Sequence, residues 1–212
     1  MVPSPRNIGR ISAGYLLRPS DSSTMFGLLA GFPVGVGVRQ SSAVSPLLFK
    51  LISEEKCHIY DPVFTEMEIN LLKEFGLNVL CENEEGKHEV QNPTLFYMIH
   101  CGKALYNNLL WRNWLPESLA KMVIIGNSFQ SIEQRLVARI LQKDYTYIAK
   151  ILQFTEEVPL PSSTRYLDVF NDTSVHWFPY KKLMDYPRTF WDSPAEPSYE
   201  HIEDLEIIRT KK

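Results

Sequence analysis

Three features of this 212-residue sequence predict an α/β domain in three layers, built on a mostly parallel, Rossmann-like sheet. Two segments, Leu95-Phe96-Tyr97-Met98-Ile99 and Met122-Val123-Ile124-Ile125, are apolar at every position. A strand wetted on one face alternates apolar and polar residues, whereas one covered on both faces does not. Each segment runs into a short polar turn and then into a stretch with helical spacing, and an earlier segment repeats the cycle. Strands alternating with helices read as crossover units, which cover both faces of a parallel sheet.

Taken in order, Cys57-His58-Ile59-Tyr60 reads as a short buried strand, closed by Asp61-Pro62 because proline cannot donate to a ladder. Thr65-Glu66-Met67-Glu68 has the pattern of a capping box opening a helix. Ile69, Leu72 and Phe75 follow at helical spacing, and Gly76 stands where that helix must end. Leu77 to Leu80 is the next strand, and Glu82 to Lys87 an exposed acidic turn. After the strand at 95–99 and the turn His100-Cys101-Gly102, Ala104 to Trp114 predicts a helix offering Leu105, Leu109 and Trp111 to a core. The strand at 122–125 leads through Gly126-Asn127-Ser128 into one helix reaching about Gln142, with Ile132, Leu136, Val137, Ile140 and Leu141 as its apolar stripe. A further helix is expected over Tyr145 to Leu152, a loop over Glu156 to Ser163, and an aromatic-rich strand or ordered segment over Phe170 to Phe178.

The ends read differently. Residues 1–45 carry eight serines, four prolines and six glycines without a sustained period, so they are expected to be a disordered or atypical segment. Their Arg-rich, Ser-rich start shares the composition of a mitochondrial transit peptide but shows no clean amphipathic helix. Gly35-Val36-Gly37 lacks both the third glycine and the preceding strand of a dinucleotide loop. The α/β domain is placed at residues 46–180, and residues 181–212 read as an acidic tail in which Leu205, Ile207 and Ile208 could form a short docking strand.

Composition narrows the function. With 22 basic and 25 acidic residues, the chain lacks the broad positive footprint of a nucleic-acid binder, and direct nucleic-acid binding is not expected. Three cysteines do not make a disulfide framework, which points to a reducing compartment. The longest apolar run, Met25 to Val38, has 14 residues and is too short to cross a bilayer, so no membrane partner is expected.

In open α/β sheets, ligands gather beyond the carboxyl ends of the strands. Those ends carry Asp61, then His100 and Cys101, then Asn127 and Ser128, which together are the candidate ligand-binding residues. Asp61 matches the place where a dinucleotide fold keeps its ribose-binding acid; it also suits a simple turn before Pro62. Asn107, with Asn108 and Asn113, sits among Tyr106, Trp111 and Trp114 in a polar-aromatic cluster of the kind found in clefts, and core packing is its plainer reading. Cys101 beside His100 at a helix start could be an activated nucleophile, against the commoner inert buried cysteine. Gly126-Asn127-Ser128-Phe129-Gln130 begins like a nucleophile elbow, but Gln130 replaces the closing glycine. His176 and Trp177 could flank a ligand or belong to an aromatic satellite cluster. Adjacent residues on a strand face opposite ways, so Cys57-His58 and His100-Cys101 are poor metal pairs and no metal site is expected. Nucleophile, base and stabiliser do not converge, so no catalytic residue is assigned and a regulatory role is expected ahead of an enzymatic one.

Longer motifs carry a family resemblance. Ile59-Tyr60-Asp61-Pro62-Val63-Phe64, Leu95-Phe96-Tyr97-Met98, the run His100 to Trp111, Ile125 to Phe129, Phe170 to Pro179 and Glu203 to Ile208 together resemble the animal form of the sensitivity-to-red-light-reduced family, over about residues 55–210. The resemblance implies a regulatory protein of circadian rhythm and of haem biosynthesis, cytoplasmic and in some members also nuclear, working with protein partners. It carries no catalytic residue set and leaves the cofactor unknown. The alternative is a nucleotide-dependent transferase or oxidoreductase on the Rossmann-like fold, with His100 or Cys101 in proton or covalent work. A nucleotide-like ligand is expected at the strand ends. For a haem ligand, His100 or Cys101 would supply the axial contact, although no cysteine precedes a proline as in haem-regulatory dipeptides. Two departures stand out. Ile99 occupies a position where the family has proline, and residues 1–50 do not reproduce the family's first strand–loop–helix unit, of which Pro46 to Ile52 could be a remnant. That unit is therefore expected to be missing or altered, as an alternative splice product or a displaced start would make it.

Overall fold

The computed structural model describes the backbone of residues 14–17 and residues 57–160, 172–192, 195–202, 205 and 207. Seven strands form one sheet in the order β3-β2-β1-β4-β5-β7-β6. They are β1 (Gly14–Leu17), β2 (Cys57–Tyr60), β3 (Asn78–Val79), β4 (Thr94–Met98), β5 (Met122–Asn127), β6 (Glu156–Pro159) and β7 (Thr173–Trp177). The helices are α1 (Glu66–Glu74), α2 (Lys103–Arg112), α3 (Pro116–Leu119), α4 (Phe129–Arg135), α5 (Ala138–Asp144), α6 (Thr146–Ile151) and α7 (Tyr180–Met184).

The fold is α/β, but its sheet is mixed rather than mostly parallel. β2 pairs with β3 and β4 with β5 in parallel, while β1 runs against both β2 and β4, and β7 against both β5 and β6. Strands β2, β3, β4 and β5 still share one direction, so their carboxyl ends lie on one edge of the sheet. The position between β2 and β4 is filled by Gly14–Leu17, from the segment expected to be atypical, with Leu17 opposite Cys57 and Leu95. The rest of residues 1–56 lies outside the described residues, including Gly35-Val36-Gly37 and Pro46 to Ile52.

The strands without polar positions do face two cores. Phe96, Met98, Met122 and Ile124 point into the larger core with Tyr106, Leu109 and Leu110 of α2 and Phe129 and Ile132 of α4. Leu95, Val123 and Ile125 point the other way, with Cys57 and Ile59, and α1 leans on that face through Leu72. Residue by residue, the side chains alternate between the two cores, as a pleated strand requires.

The capping box is present: Thr65 Oγ1 accepts from Glu68 N at 3.3 Å while the Glu68 carboxylate accepts from Thr65 N at 2.8 Å. Gly76, at φ +80°, closes α1, with Leu77 N donating to Leu72 O and Gly76 N to Lys73 O. That pairing satisfies two carbonyls at the helix end. The expected strand at 77–80 shrinks to Asn78–Val79 on the sheet edge.

The single helix expected from Ser128 to Gln142 is two helices. Leu136 is extended (φ −91°, ψ 144°), and α5 starts after Val137. The break undoes the continuous stripe: Ile132 and Leu141 are buried, while Val137 and Ile140 are exposed. The loop expected at Glu156–Ser163 begins as β6 instead, because β7 provides an antiparallel partner for Glu156 to Pro159; residues 161–163 lie outside the described residues. Beyond residue 180, Leu183, Trp191, Tyr199 and Ile207 join the larger core. The docking strand proposed there is not formed at Leu205 and Ile207, and Ile208 lies outside the described residues.

Candidate functional site

The common carboxyl edge is built by three turns. The first follows β2, where Asp61 continues the Cys57–Ile59 face and is only 5% exposed. Its Oδ1 accepts from Val63 N at 3.0 Å, and its carbonyl accepts from Phe64 N at 3.3 Å, so it organises the Asp61-Pro62-Val63-Phe64 turn. The other carboxylate oxygen, Oδ2, is buried and has no hydrogen-bond partner. Burial raises the Asp61 pKa above the ordinary carboxyl value, the Val63 N–H pulls it back, and the nearby charge of Glu68 adds to the rise.

The second turn follows β4. Cys101 N donates to Met98 O at 3.3 Å, and His100 sits at φ +60° as the third residue of that turn. A turn with positive φ at its third position favours proline at its second and glycine or asparagine at its third. Ile99 stands at the proline position, so neighbouring contacts must hold the turn. Asn127 supplies them from β5: its Oδ1 accepts from His100 N at 2.9 Å and its Nδ2 donates to Cys101 O at 3.0 Å. Tyr106 completes the clamp, its hydroxyl donating to Met98 O and accepting from Asn127 N at 2.9 Å. A Cβ at Gly126 would lie 2.5 Å from that hydroxyl, so glycine is required there by close approach. Cys101 is buried at 2% exposure, whereas His100 is exposed.

The third turn follows β5 and opens α4. Ser128 Oγ accepts from Ser131 N at 3.0 Å as the helix cap and donates to Glu157 of β6. The other Glu157 oxygen accepts from Gln130 N at 3.1 Å and lies 3.5 Å from His176 Nε2. His176 Nδ1 is 3.1 Å from Ile124 O; a carbonyl only accepts, so Nδ1 carries the proton. The His176 ring stacks on Phe129 with centroids 4.2 Å apart. Burial alone raises the Glu157 carboxyl, but the Ser128 hydroxyl, the Gln130 N–H and the neighbouring His176 ring outweigh it and bring it down to about 2. The carboxylate thus sits at a helix start, where backbone N–H groups favour negative charge.

Glu157 is not legible as a site residue in the sequence, because its segment has the composition of a loop, and His176 suits a ligand flank or a packing group equally. Alternating positions in an antiparallel pair were the available signal: Glu157 and His176 are directly opposite, and His176 is opposite Ile124.

Asp61, His100, Cys101, Asn127 and Ser128 therefore share one edge, and Asn107 does not. Asn107 is buried in α2, its amide donating to Tyr199 Oη at 2.8 Å and its oxygen accepting from Tyr147 N at 2.9 Å and Ile148 N at 3.3 Å. Asn108 and Asn113 similarly pin the 82–90 segment, donating to Glu85 O and His88 O. A cavity of about 430 Å³ opens beside α5 and α6, and among the predicted site residues only Asn107 lines it. Two of its carboxylates are already engaged, Asp144 with His201 and Glu196 with Lys87. The strand-end edge is the stronger candidate because it holds the unpartnered buried acceptor. Among the described residues no group of three metal-ligating side chains forms, and no helix is long and apolar enough to cross a membrane.

The sequence profile of the SRR1 domain matches residues 39–177, more than half of the chain. The chain belongs to the SRR1 domain family. Its SRR1 region contains all five edge residues together with Glu157 and His176. The mouse SRR1-like protein is 44% identical over 164 residues, covering 71% of this chain and 66% of the mouse protein. The fruit-fly SRR1-like protein is 36% identical over 124 residues, 58% of this chain and 43% of the fly protein. The Arabidopsis protein SENSITIVITY TO RED LIGHT REDUCED 1 is 35% identical over 126 residues, 58% of this chain and 46% of the plant protein. The chain thus aligns with under two thirds of each of these relatives. No solved structure matches.

Proposed function

We propose that this SRR1-family chain is a regulatory protein that acts through protein partners, in circadian rhythm and in the control of haem biosynthesis, in the cytoplasm and also in the nucleus. The observation that carries the regulatory reading is kinship with a plant relative named for reduced sensitivity to red light. The rhythm and haem assignments rest on the family resemblance. Partner binding is supported by the outward side of α1, where Met67, Leu71 and Phe75 recur every fourth residue and are all exposed. Their spacing puts them on one stripe of the helix.

A second reading has one specific observation in its favour. The order β3-β2-β1-β4-β5 resembles the 3-2-1-4-5 order of dinucleotide-binding sheets, with the central strand reversed, and the core is read as Rossmann-like on that basis. Asp61, with a buried oxygen lacking a partner at the edge of such a sheet, supports a nucleotide-dependent transferase or oxidoreductase in which His100 or Cys101 does proton or covalent work. One fold hosts many functions, so this reading ranks second.

Expression of a His100→Ala, Cys101→Ala double variant in cells lacking the protein separates the two. Clock period and haem output restored to parental levels are expected for a regulator working through partners. Lost rescue by a variant that keeps its fold would make the enzyme reading the better one.

A further inference from the structure

We infer that the crevice beyond the carboxyl ends of β2 and β4 binds a ribonucleoside, whose vicinal ribose hydroxyls donate hydrogen bonds to the Asp61 carboxylate. The inference holds whether the protein regulates through partners or catalyses a reaction, since a bound nucleotide can serve either.

Topology supplies the crevice. From β2 the chain passes through α1 to β3, on one side of the centre; from β4 it passes through α2 to β5, on the other. Leu72 of α1 packs on one face of the sheet, and Leu109 and Leu110 of α2 on the opposite face. The two connections diverge beyond the strand ends, and open α/β sheets bind ligands at such points. Between β2 and β4 lies β1, whose first residue, Gly14, is opposite Tyr60.

Chemistry supplies the ligand class. Asp61 is 5% exposed, and its Oδ2 is enclosed yet accepts nothing, while Oδ1 is already used by Val63 N. Buried polar atoms are nearly always paired, so an orphan at a strand end calls for a donor brought by another molecule. The charge that bears on Asp61 is that of Glu68, which repels its anion. A hydroxyl suits that place, because it donates to the buried oxygen without bringing a second charge into an enclosed site. An acid at the end of the second strand of a 3-2-1-4-5 order is also where ribose hydroxyls are held in dinucleotide sites.

Dimensions agree. The turn carrying exposed His100 lies two strands from Asp61, about 10 Å across the sheet edge, which is about the length of a nucleoside.

The test uses the full chain and calorimetric titration with AMP, GMP, UMP, NAD⁺ and S-adenosylmethionine. At least one is expected to bind, and the 2′,3′-dideoxy counterpart of the best binder should bind at least tenfold more weakly. Asp61→Asn keeps an acceptor for Val63 N and should weaken the ribonucleoside by a similar factor with an unchanged circular-dichroism spectrum. The comparison of ribose and dideoxy ligands on the unaltered protein stands even where that variant folds poorly. Silence from the whole panel would overturn the inference, as would equal affinity for the dideoxy ligand or a well-folded Asp61→Asn that binds like the parent.

Discussion

Replacing Glu157 by glutamine tests the ionic network that joins β6, β7 and α4. The native carboxyl lies at about 2, because the bonds from Ser128 and Gln130 and the neighbouring His176 ring outweigh the cost of its burial. In the unfolded chain it should titrate near 4.3, so ionisation favours the fold by at most roughly 3 kcal/mol. Glutamine keeps one acceptor oxygen for Ser128 and loses the charge, so the expected loss is about 2 kcal/mol. The sign follows from the lowered native value. The stabilisation is fully present above about pH 5 and fades as pH falls through 4.3 towards 2. Urea denaturation of parent and Glu157→Gln at pH 7, 4 and 2.5 measures it. The gap between the two midpoints should be widest at pH 7 and shrink to roughly a quarter of that at pH 2.5. Equal midpoints at pH 7, or a gap that stays constant down to pH 2.5, would show that the Glu157 charge does not stabilise the native state.

Three more outcomes follow from the edge geometry. Gly126→Ala should destabilise the protein by about 1–3 kcal/mol in chemical denaturation, since the new Cβ meets the Tyr106 hydroxyl that clamps Met98 and Asn127. At His100, held at φ +60°, a valine should cost about 1–2 kcal/mol and a glycine should not, which melting curves of the two variants would show. In native protein treated with N-ethylmaleimide, exposed Cys81 should be labelled well before Cys101 and Cys57, which are buried. Cys57 is further protected because burial pushes its thiol up to about 11. Mass spectrometry of the labelled peptides checks the order, and rapid labelling of Cys101 would restore it as a candidate nucleophile.

Local chemistry was legible in the sequence itself. Apolar residues at every position of 95–98 and 122–125 announce strands buried on two sides, and both cores are found there. Thr65 and Glu68 lie three residues apart and specify their cap, and Gly76 specifies the stop. The polar residues closing β2, β4 and β5 meet on one edge because those strands share a direction, which the crossover pattern implies. The family motifs also lie in this continuous stretch, and membership could be read from them.

Tertiary structure decided what depends on partners far along the chain. Antiparallel or parallel pairing, and the place of β1 between β2 and β4, are settled by contacts some forty and eighty residues away, as the Leu17–Cys57 and Leu17–Leu95 registers show. Glu156 to Pro159 has the composition of a loop and becomes a strand because β7 offers it a ladder. Glu157, Ser128 and His176 are 19 to 48 residues apart and share one site only once those strands align. Asn107 carries the same chemical signal as a ligand-binding amide. Its commitment to Tyr147 N, Ile148 N and Tyr199 Oη, 40 to 92 residues distant, is what gives it a structural role. A sequence shows which donors and acceptors exist, but a hydrogen bond is a distance and an angle, and those arise only when remote segments are packed together.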